Sequence, residues 1–395
     1  MSARLLRGIA ELTTNDPSLG DGSPLGRLTD AAMVLDDDAV VWVGPASRAP
    51  AADHAVDLGG RAVVPGFVDS HTHLVFAGER SDEFAARLAG QPYDGGGIRR
   101  TVAATRAASS ADLLAAARHR RDRAHRTGTT TIEVKSGYEL TVEGEVRLLE
   151  VAEEVTDEVT FLGAHVVPPE YAGDRESYVE LVAGEMMVAC APRARWADVF
   201  CERGAFSVEE ARVILTAARQ HGLGLRVHGN QLGPGAGVAL AVELQAASVD
   251  HCTHLSDEDV AMLAGSSTVA TLLPGAEFFS GDPAPSGRRL LDAGATVALA
   301  TDCNPGTSYL TSMATAIWLA VREMGLSPDE ALWAATAGGA RALCRTDVGN
   351  LGVGARADLV VLDAPRAVHL AYRFGDVIGE VMTARGTPGS SRVPA

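Results

Sequence analysis

The stretch Pro65-Gly-Phe-Val-Asp-Ser-His71-Thr-His73 carries the first signal for the fold of this chain. An apolar run ends there in two histidines that are separated by one residue. Because successive side chains of a β-strand point to opposite faces, both imidazoles lie on the same face. A His-x-His pair alone is weak evidence for a metal site, since chance or core packing explains it equally well. Its place at the end of a predicted strand makes it informative.

Downstream of this stretch, apolar runs of strand length alternate with stretches of helical period. We predict eight strands, at residues 62–68, 129–134, 159–164, 197–200, 224–227, 247–250, 268–273 and 296–300. Ser207 with Glu210 and Ser327 with Glu330 have the pattern of capping boxes that open two of the helices. Strands that alternate with helices pair in parallel, and eight such units close into a barrel with its catalytic face at the carboxyl ends. The predicted fold class is therefore α/β, a (β/α)8 TIM-type barrel. An open doubly wound sheet is the competing architecture, but the glycine-rich turn that normally follows its first strand is missing here.

The two ends of the chain differ from the barrel segment in holding short strands and many turns. Neither end is long enough for a good core of its own. We therefore predict that residues 1–61 and 349–395 pair as a small composite β-sandwich domain beside a barrel of residues 62–348. Residues 78–110, between the first two barrel strands, are too many for a plain connection and are a candidate substrate loop.

The composition is that of a globular protein, with 46% hydrophobic residues among 395 and a formal net charge of −17. This charge argues against nucleic acids and anionic membranes as partners, because phosphate contacts need clustered lysines and arginines. No apolar run is long enough to span a bilayer, and the first residues lack the apolar core of a signal peptide. The five cysteines are odd in number and have no Cys-x-x-Cys spacing. We therefore expect neither a disulfide framework nor a zinc ribbon, and a cytoplasmic location.

Three further residues fall at the ends of predicted barrel strands: His228 ends the fifth, His251 the sixth and Asp302 the eighth. Each histidine taken alone is more often a hydrogen-bonded core residue than a ligand. Neutral imidazoles and a carboxylate that converge from strand ends form a site for zinc or iron with room left for water. We therefore predict one divalent metal ion per subunit, held by three of these imidazoles and Asp302.

Two other metal chemistries fit this pattern less well. A two-metal hydrolase of this barrel type would need a bridging lysine or glutamate at the end of the fourth strand, where only Glu202 could serve. An iron oxygenase with two histidines and one carboxylate would need no third histidine, so His228 argues against it. A single-metal hydrolase is the better interpretation.

Four further blocks of sequence make the pattern specific. They are Thr130-Thr-Ile-Glu-Val-Lys-Ser-Gly-Tyr138, Phe161-Leu-Gly-Ala-His165, Val269-Ala-Thr-Leu-Leu-Pro274 and Ala298-Leu-Ala-Thr-Asp-Cys-Asn-Pro-Gly306. Together with the His-x-His block, they resemble the imidazolonepropionase family of the amidohydrolase superfamily, over nearly the whole chain. Members of that family hydrolyse 4-imidazolone-5-propanoate to N-formimidoyl-L-glutamate in histidine degradation. The resemblance implies a metal-dependent cyclic amidohydrolase with a small anionic cyclic amide as substrate.

The resemblance also implies which residues form the site. It places the metal ligands on His71, His73, His228 and Asp302, in agreement with their positions at strand ends. It puts His251 at the site as a further histidine. Substrate contacts fall on a second set of residues, Arg80, Tyr138, His165, Gln231, Asn304, Gly306 and Thr307. Arg80 could hold the substrate propanoate through two parallel charge-assisted hydrogen bonds.

One position departs from the family pattern, because many members carry a glutamate where this chain has Gln231. A glutamine cannot take a proton from water, so we assign the general base to Asp302. Gln231 would then form hydrogen bonds with the ring, and the change also argues against a ring deaminase. His251 would orient the nucleophile or the carbonyl, and His251 or His165 would stabilise the developing oxyanion. The predicted catalytic residues are therefore Asp302, His251 and His165.

Several alternatives stay open at this point. The ligand set suits zinc and iron equally, so the sequence does not choose between them. We expect a homodimer, which is common for such barrels. Another cyclic amide or amidine could be the substrate, and a non-catalytic barrel could act as an assembly scaffold. The four retained metal ligands argue against the scaffold.

Overall fold

The computed structural model describes residues 3–36, 38–89, 97–375 and 379–382. Its described residues form fourteen β-strands, numbered β1 to β14 in chain order. These strands are Arg4–Thr13, Arg27–Asp36, Ala39–Pro45, His54–Pro65, Phe67–Asp69, Thr129–Lys135, Glu158–Ala164, Trp196–Cys201, Gly224–Gly229, Ser248–His251, Val269–Leu272, Val297–Leu299, Leu359–Leu362 and Gly379–Met382.

The same residues form fifteen α-helices, numbered α1 to α15. These helices are Ser81–Leu88, Gly97–Ala107, Ser110–Arg126, Val142–Glu153, Arg175–Leu181, Met187–Cys190, Val208–Gln220, Gly237–Glu243, Asp257–Ala264, Pro274–Ser280, Gly287–Ala293, Met313–Glu323, Pro328–Trp333, Gly339–Ala342 and His369–Tyr372. Both predicted capping boxes are present, with Ser207 and Glu210 opening α7 and Ser327 and Glu330 opening α13. None of the helices in the described ranges has the length and apolarity that a bilayer crossing requires.

Strands β5 to β12 form a parallel eight-stranded sheet in sequence order. The sheet closes where its first and last strands meet at their carboxyl ends. There Thr72 bridges Cys303, and the Asp302 backbone N–H donates to the His71 carbonyl over 3.0 Å. The predicted (β/α)8 barrel is confirmed. Its closing hydrogen bonds involve two predicted metal ligands, so closure of the barrel itself brings these residues together.

A second, six-stranded sheet combines both ends of the chain in the order β14-β13-β4-β1-β2-β3. Strand β4 pairs in parallel with β1 and antiparallel with β13. The sheet has its own apolar core, which includes Leu6, Met33, Val63 and Leu359. The composite β domain built from both chain ends is therefore confirmed, and its described strands form one mixed sheet.

The first predicted barrel strand, residues 62–68, differs from the structure because the chain changes sheets within it. Residues up to Pro65 belong to β4 of the small sheet, and the barrel strand β5 begins only at Phe67. Gly66 lies between the two, and a Cβ atom there would come within 2.2 Å of the Thr130 hydroxyl oxygen. Both halves of the run are buried. The hydrophobic pattern therefore continues across Gly66, and the sequence does not show that the chain changes sheets there.

The predicted substrate loop, residues 78–110, contains two helices, α1 and α2, and leads into α3. Within this loop, residues 90–96 lie outside the described ranges. The loop thus begins directly after the strand that carries the His-x-His pair.

Candidate active site

The predicted metal ligands converge at the carboxyl ends of the barrel strands. His71 and His73 follow β5, His228 lies near the end of β9, and Asp302 follows β12. Oδ1 of Asp302 lies 3.5 Å from Nε2 of His71 and 3.5 Å from Nε2 of His73. Nε2 of His73 lies 3.4 Å from Nε2 of His228. All four residues are buried, none more than 3% exposed.

These three distances are those expected around a single bound cation. Four ligands at about 2.0–2.1 Å from an ion in a tetrahedral arrangement lie about 3.4 Å from one another. Nε2 of His71 is buried and has no hydrogen-bond partner among the described residues. Such an orphaned lone pair is costly unless something binds it. Three imidazole nitrogens and one carboxylate oxygen are the donors that zinc and iron accept, so the residues fit the metal that their pattern predicts.

The protonation of the histidines agrees with this fit. Burial lowers the pKa of His71 and of His73 well below the ordinary histidine value. Both rings are therefore neutral near pH 7, which is the form that binds a cation. Burial also raises the pKa of Asp302 to about 7, and a cation beside it would favour the charged carboxylate.

Buried carboxylates behind the ligands hold the imidazole rings in place. Oδ2 of Asp250 lies 2.6 Å from Nδ1 of His71, and Oδ1 of Asp198 lies 3.0 Å from Nδ1 of His228. A carboxylate that accepts from Nδ1–H fixes the tautomer and leaves the Nε2 lone pair free to bind a metal. The two aspartates therefore orient two of the four predicted ligands.

These aspartates belong to a larger charged cluster, which we call the buried ion network: Glu133, Lys135, Asp198, Arg226 and Asp250. Nζ of Lys135 lies 2.7 Å from Glu133 and 2.9 Å from Asp198, and Arg226 lies 3.2 Å from Asp250. Their side chains are fully buried. Sequence reasoning missed the network, although charged residues inside otherwise apolar predicted strands were a usable signal.

His251 lies beside the ligand cluster, with its ring centroid 5.7 Å from that of His71 and 5.4 Å from that of His228. Its backbone is in the left-handed region, with a φ of 82°. Asp302 has a φ of 53°. Such conformations cost energy in residues other than glycine and concentrate at functional sites. Nδ1 of His251 is buried and finds no hydrogen-bond partner within the described part of the chain.

His165 and Tyr138 form one wall of the site. The His165 ring stacks on His73 with centroids 5.4 Å apart, and the Tyr138 ring lies 5.2 Å from His165. Nδ1 of His165 lies 2.9 Å from the Gly137 carbonyl oxygen. Burial lowers the pKa of His165 to about 4, so the ring is neutral near pH 7. Nδ1 then carries the proton and donates a hydrogen bond to the Gly137 carbonyl oxygen. Nε2 is therefore a hydrogen-bond acceptor.

The turn that follows Asp302 is held by Asn304. Its side-chain oxygen accepts from the backbone N–H groups of Gly306 and Thr307 over 2.7 and 2.8 Å. Its side-chain nitrogen donates to the Asp302 carbonyl over 2.7 Å. The Thr307 hydroxyl lies 3.3 Å from Oδ2 of Asp302. Asn304 therefore shapes the turn, and Thr307 connects the turn to the predicted base.

Arg80 lies against this turn, because a Cβ atom on Gly306 would come within 2.4 Å of its Nη1 atom. The side chain is only 6% exposed. Its Nε and Nη2 atoms donate to Glu83 over 2.9 and 2.6 Å. The predicted propanoate anchor is thus near Gly306 and has an acidic partner on the other side. The sequence pattern did not predict that partner.

Gln231 and Glu202 lie in the loops after β9 and β8. The Gln231 backbone N–H donates to the Glu202 carboxylate, and the Gln231 side chain is partly exposed. Burial raises the pKa of Glu202. Through this hydrogen bond, Glu202 holds the loop that carries Gln231.

The closed barrel and the buried histidine–aspartate cluster at its carboxyl face define an enzyme of the amidohydrolase type. In agreement, residues 62–381 match the family model described as the amidohydrolase family. The chain is 63% identical to an imidazolonepropionase of Streptomyces griseus, over 95% of this chain and 96% of that protein. It is also 63% identical to an imidazolonepropionase of Mycolicibacterium smegmatis, over 95% of this chain and 94% of that protein. The chain belongs to the amidohydrolase family and, within it, to the imidazolonepropionases. The predicted family and the prediction of a hydrolase are confirmed.

Solved structures of more distant proteins share the fold. N-isopropylammelide isopropylaminohydrolase from Burkholderia multivorans superposes with a TM-score of 0.71 at 22% identity, over 98% of both chains. A mutant of atrazine chlorohydrolase from Arthrobacter aurescens, complexed with zinc and atraton, gives a TM-score of 0.69 at 17% identity, over 97% of this chain and 94% of that one. At such identities the likeness establishes the architecture alone.

Proposed function

We propose that this chain hydrolyses the cyclic amide bond of 4-imidazolone-5-propanoate and releases N-formimidoyl-L-glutamate. The observation that supports this most is the cluster of His71, His73, His228 and Asp302 at the carboxyl face of the barrel. Asp302 lies 3.5 Å from His71 and from His73, and His73 lies 3.4 Å from His228. The 63% identity to proteins named imidazolonepropionase supports the choice of substrate. The reaction adds water to the ring carbonyl and breaks the ring C–N bond.

Those four residues would hold one divalent ion per subunit, either zinc or iron. When bound, the ion supplies hydroxide near neutral pH by lowering the pKa of water from 15.7 to about 7. Asp250 and Asp198 hold Nδ1 of His71 and His228. These contacts aim the two Nε2 lone pairs into the site before any ion arrives, which lowers the cost of binding it.

Asp302 is the proposed base. Its Oδ1 atom faces the Nε2 atoms of His71 and His73. Its Oδ2 atom lies toward the Thr307 hydroxyl. One carboxylate oxygen can therefore bind the ion while the other accepts the proton of the attacking water. The departing ring nitrogen must also receive a proton before the product can leave.

The remaining polar groups can hold the ring. His165 presents an acceptor at Nε2, because its Nδ1–H donates to the Gly137 carbonyl. An acceptor suits a ring N–H and does not suit an oxyanion, so we assign stabilisation of the oxyanion to His251. Tyr138, next to His165, and Gln231 would contact the ring from the same side.

Arg80 and the turn of Asn304, Gly306 and Thr307 would receive the propanoate. Gly306 has no side chain, so the guanidinium of Arg80 can lie directly against the turn there. A guanidinium binds a carboxylate through charge-assisted hydrogen bonds. Glu83, which already pairs with Arg80, would fix the orientation of the guanidinium and weaken its net attraction for an anion.

A cytoplasmic location and a homodimer complete the proposal. The cysteine pattern supports the first, since the five described cysteines are all free. The homodimer rests on the frequency of this state among such barrels. Sedimentation equilibrium of the purified chain would test it, with a monomer as the contrary result.

The decisive experiment is an assay of the metal-loaded chain that follows the disappearance of the imidazolone ring, paired with metal analysis. We expect turnover of imidazolone propanoate with about one zinc or iron ion per chain. Hydantoin and purine substrates should turn over far more slowly. Faster turnover of either substrate, or no ring opening by a metal-loaded chain, would contradict the proposal.

A further inference from the structure

A buried glutamate lies at the catalytic face of the barrel, outside the set of residues that the sequence singled out. Glu277 belongs to α10, which begins at Pro274 directly after β11. Its side chain is 4% exposed. The Thr253 hydroxyl donates to its Oε1 atom over 2.6 Å. Since Thr253 follows His251 by two residues, this hydrogen bond connects Glu277 to the end of the sixth barrel strand.

Helix α10 is also fixed against the turn of the eighth strand. A Cβ atom on Gly275 would come within 2.4 Å of the Ser308 hydroxyl and 3.4 Å of the Thr301 carbonyl oxygen. The helix thus packs closely on the segment that carries Asp302. Glu277 therefore lies between the strand end of His251 and the turn of Asp302.

One oxygen of this carboxyl group is unused. Oε2 of Glu277 is buried and has no hydrogen-bond partner within the described ranges. A buried carboxyl oxygen without a partner is unfavourable unless a ligand completes it. Burial, with the nearby charges of Asp302 and Asp282, raises the pKa of Glu277 to about 7, against the lowering effect of Thr253. The group can therefore carry a proton at neutral pH.

Glu202 is a second buried glutamate at the catalytic face, and its situation is different. Its carboxylate accepts the backbone N–H of Gln231, and a backbone hydrogen bond from Leu232 also lowers its pKa against the effect of burial. Both contacts hold the loop after β9. Of the two, Glu277 has the free oxygen, and Gln231 itself cannot carry a proton.

We propose that Glu277 is the proton donor to the departing ring nitrogen, in place of the acid that Gln231 cannot provide. The inference rests on the proposed function. Water loses one proton to Asp302 and its oxygen bonds to the ring carbonyl carbon. The C–N bond then breaks, its electron pair stays on nitrogen, and Oε2 of Glu277 protonates that nitrogen. The proton on Asp302 restores Glu277 through solvent, so one water is consumed and no other reactant is needed.

The test is Glu277→Gln in the metal-loaded enzyme. A glutamine keeps an oxygen that can accept from Thr253 but has no transferable proton. We expect kcat to fall by about 10²-fold or more, as loss of a general acid typically does, while KM and metal content stay within about twofold of the wild type. A kcat within about twofold of the wild type would overturn the proposal, as would a loss of metal that accounts for the lost rate.

Two further variants separate proton transfer from support of the fold. Thr253→Val removes the hydrogen bond and keeps the carboxyl group, so it should reduce kcat much less than Glu277→Gln. Equal losses in the two variants would mean that Glu277 only braces Thr253. Glu158→Gln neutralises an equally buried glutamate at the amino end of β7, 1% exposed, and should keep kcat.

The outcomes also separate this inference from the proposed function. Failure of the wild-type chain to open the imidazolone ring would contradict the proposed function itself. Ring opening by the wild-type chain and an equal kcat in Glu277→Gln would contradict only the role of Glu277.

Discussion

The buried ion network and the mouth of the site differ in whether their charged groups have a partner of opposite charge. In the network, each cation has a carboxylate partner: Lys135 contacts Glu133 and Asp198, and Arg226 contacts Asp250. At the mouth, which we define as His165, His251, Glu277 and Asp302 with its turn, polar atoms such as Nδ1 of His251 and Oε2 of Glu277 have no partner in the described structure.

The difference shows how the two regions divide the work. Paired charges behind the ligands hold the imidazoles in position before substrate arrives. Unpaired groups at the mouth are costly in the free protein and can be completed by substrate, which is what a catalytic group requires. Substitutions in the network should therefore affect stability and metal binding, and substitutions at the mouth should affect turnover and KM.

The largest effect is expected for His71→Ala, which alters the boundary between the two regions. It removes one metal ligand and leaves Asp250 without the ring that it orients. Both bound metal and ring opening should fall to background, because the ligands are needed together. Metal analysis beside the rate assay measures this. A variant that keeps both metal and rate would break the assignment of the cluster.

The second-largest effect is expected for Lys135→Met, and it is an effect on stability. Lys135→Met should lower the free energy of unfolding by about 3–5 kcal/mol, because it leaves two buried carboxylates without their cation. Urea unfolding of the metal-free chain measures this. The matched control is Arg118→Met, which breaks a surface pair with Glu154 whose side chains are 47% and 59% exposed and should cost less than about 1 kcal/mol. Equal costs would show that burial does not distinguish the two pairs.

Beside the mouth, against the turn of Asp302, Arg80→Ala should raise the KM for imidazolone propanoate by about ten- to hundredfold. This corresponds to lost charge-assisted bonds of about 1.5–3 kcal/mol. Steady-state kinetics measures this. Arg100→Ala, on the exposed side of α2, is the control and should leave KM unchanged. Glu83→Gln should lower KM, since it removes the acidic competitor of the substrate. An unchanged KM in Arg80→Ala would exclude Arg80 as the anchor.

A smaller effect is expected for Asp250→Asn, which keeps the size of a network residue and removes its charge. Metal affinity should fall by about ten- to hundredfold, as is typical when the partner of a ligating histidine is changed. Competition with a chelator measures it. With metal in excess, kcat should recover most of its wild-type value. A kcat that stays low at saturating metal would place Asp250 in catalysis. It would contradict the assignment of the buried ion network to stability and metal binding alone.

Much of the fold, and the place of the predicted ligands at strand ends, was predictable because both follow local rules. The alternation of apolar strands and helices indicates the barrel, and His71, His73, His228 and Asp302 all stand at strand ends. The junction at Gly66 was not predictable, since two strands of different sheets form one apolar run there. The acidic partner of Arg80 was also missed, because nothing in the sequence distinguishes Glu83 from any other polar residue of an amphipathic helix.

By itself, the sequence determined the class of barrel, the family and the candidate metal ligands, because these depend on periodicity and on residues placed at strand ends. Only the tertiary structure decided which buried charges meet. His71 and Asp250 are 179 residues apart, and Thr253 and Glu277 are 24 apart. Such pairs arise when closure of the barrel brings strand ends together, and burial then makes each paired or unpaired polar atom energetically significant. No local pattern in the chain records that outcome.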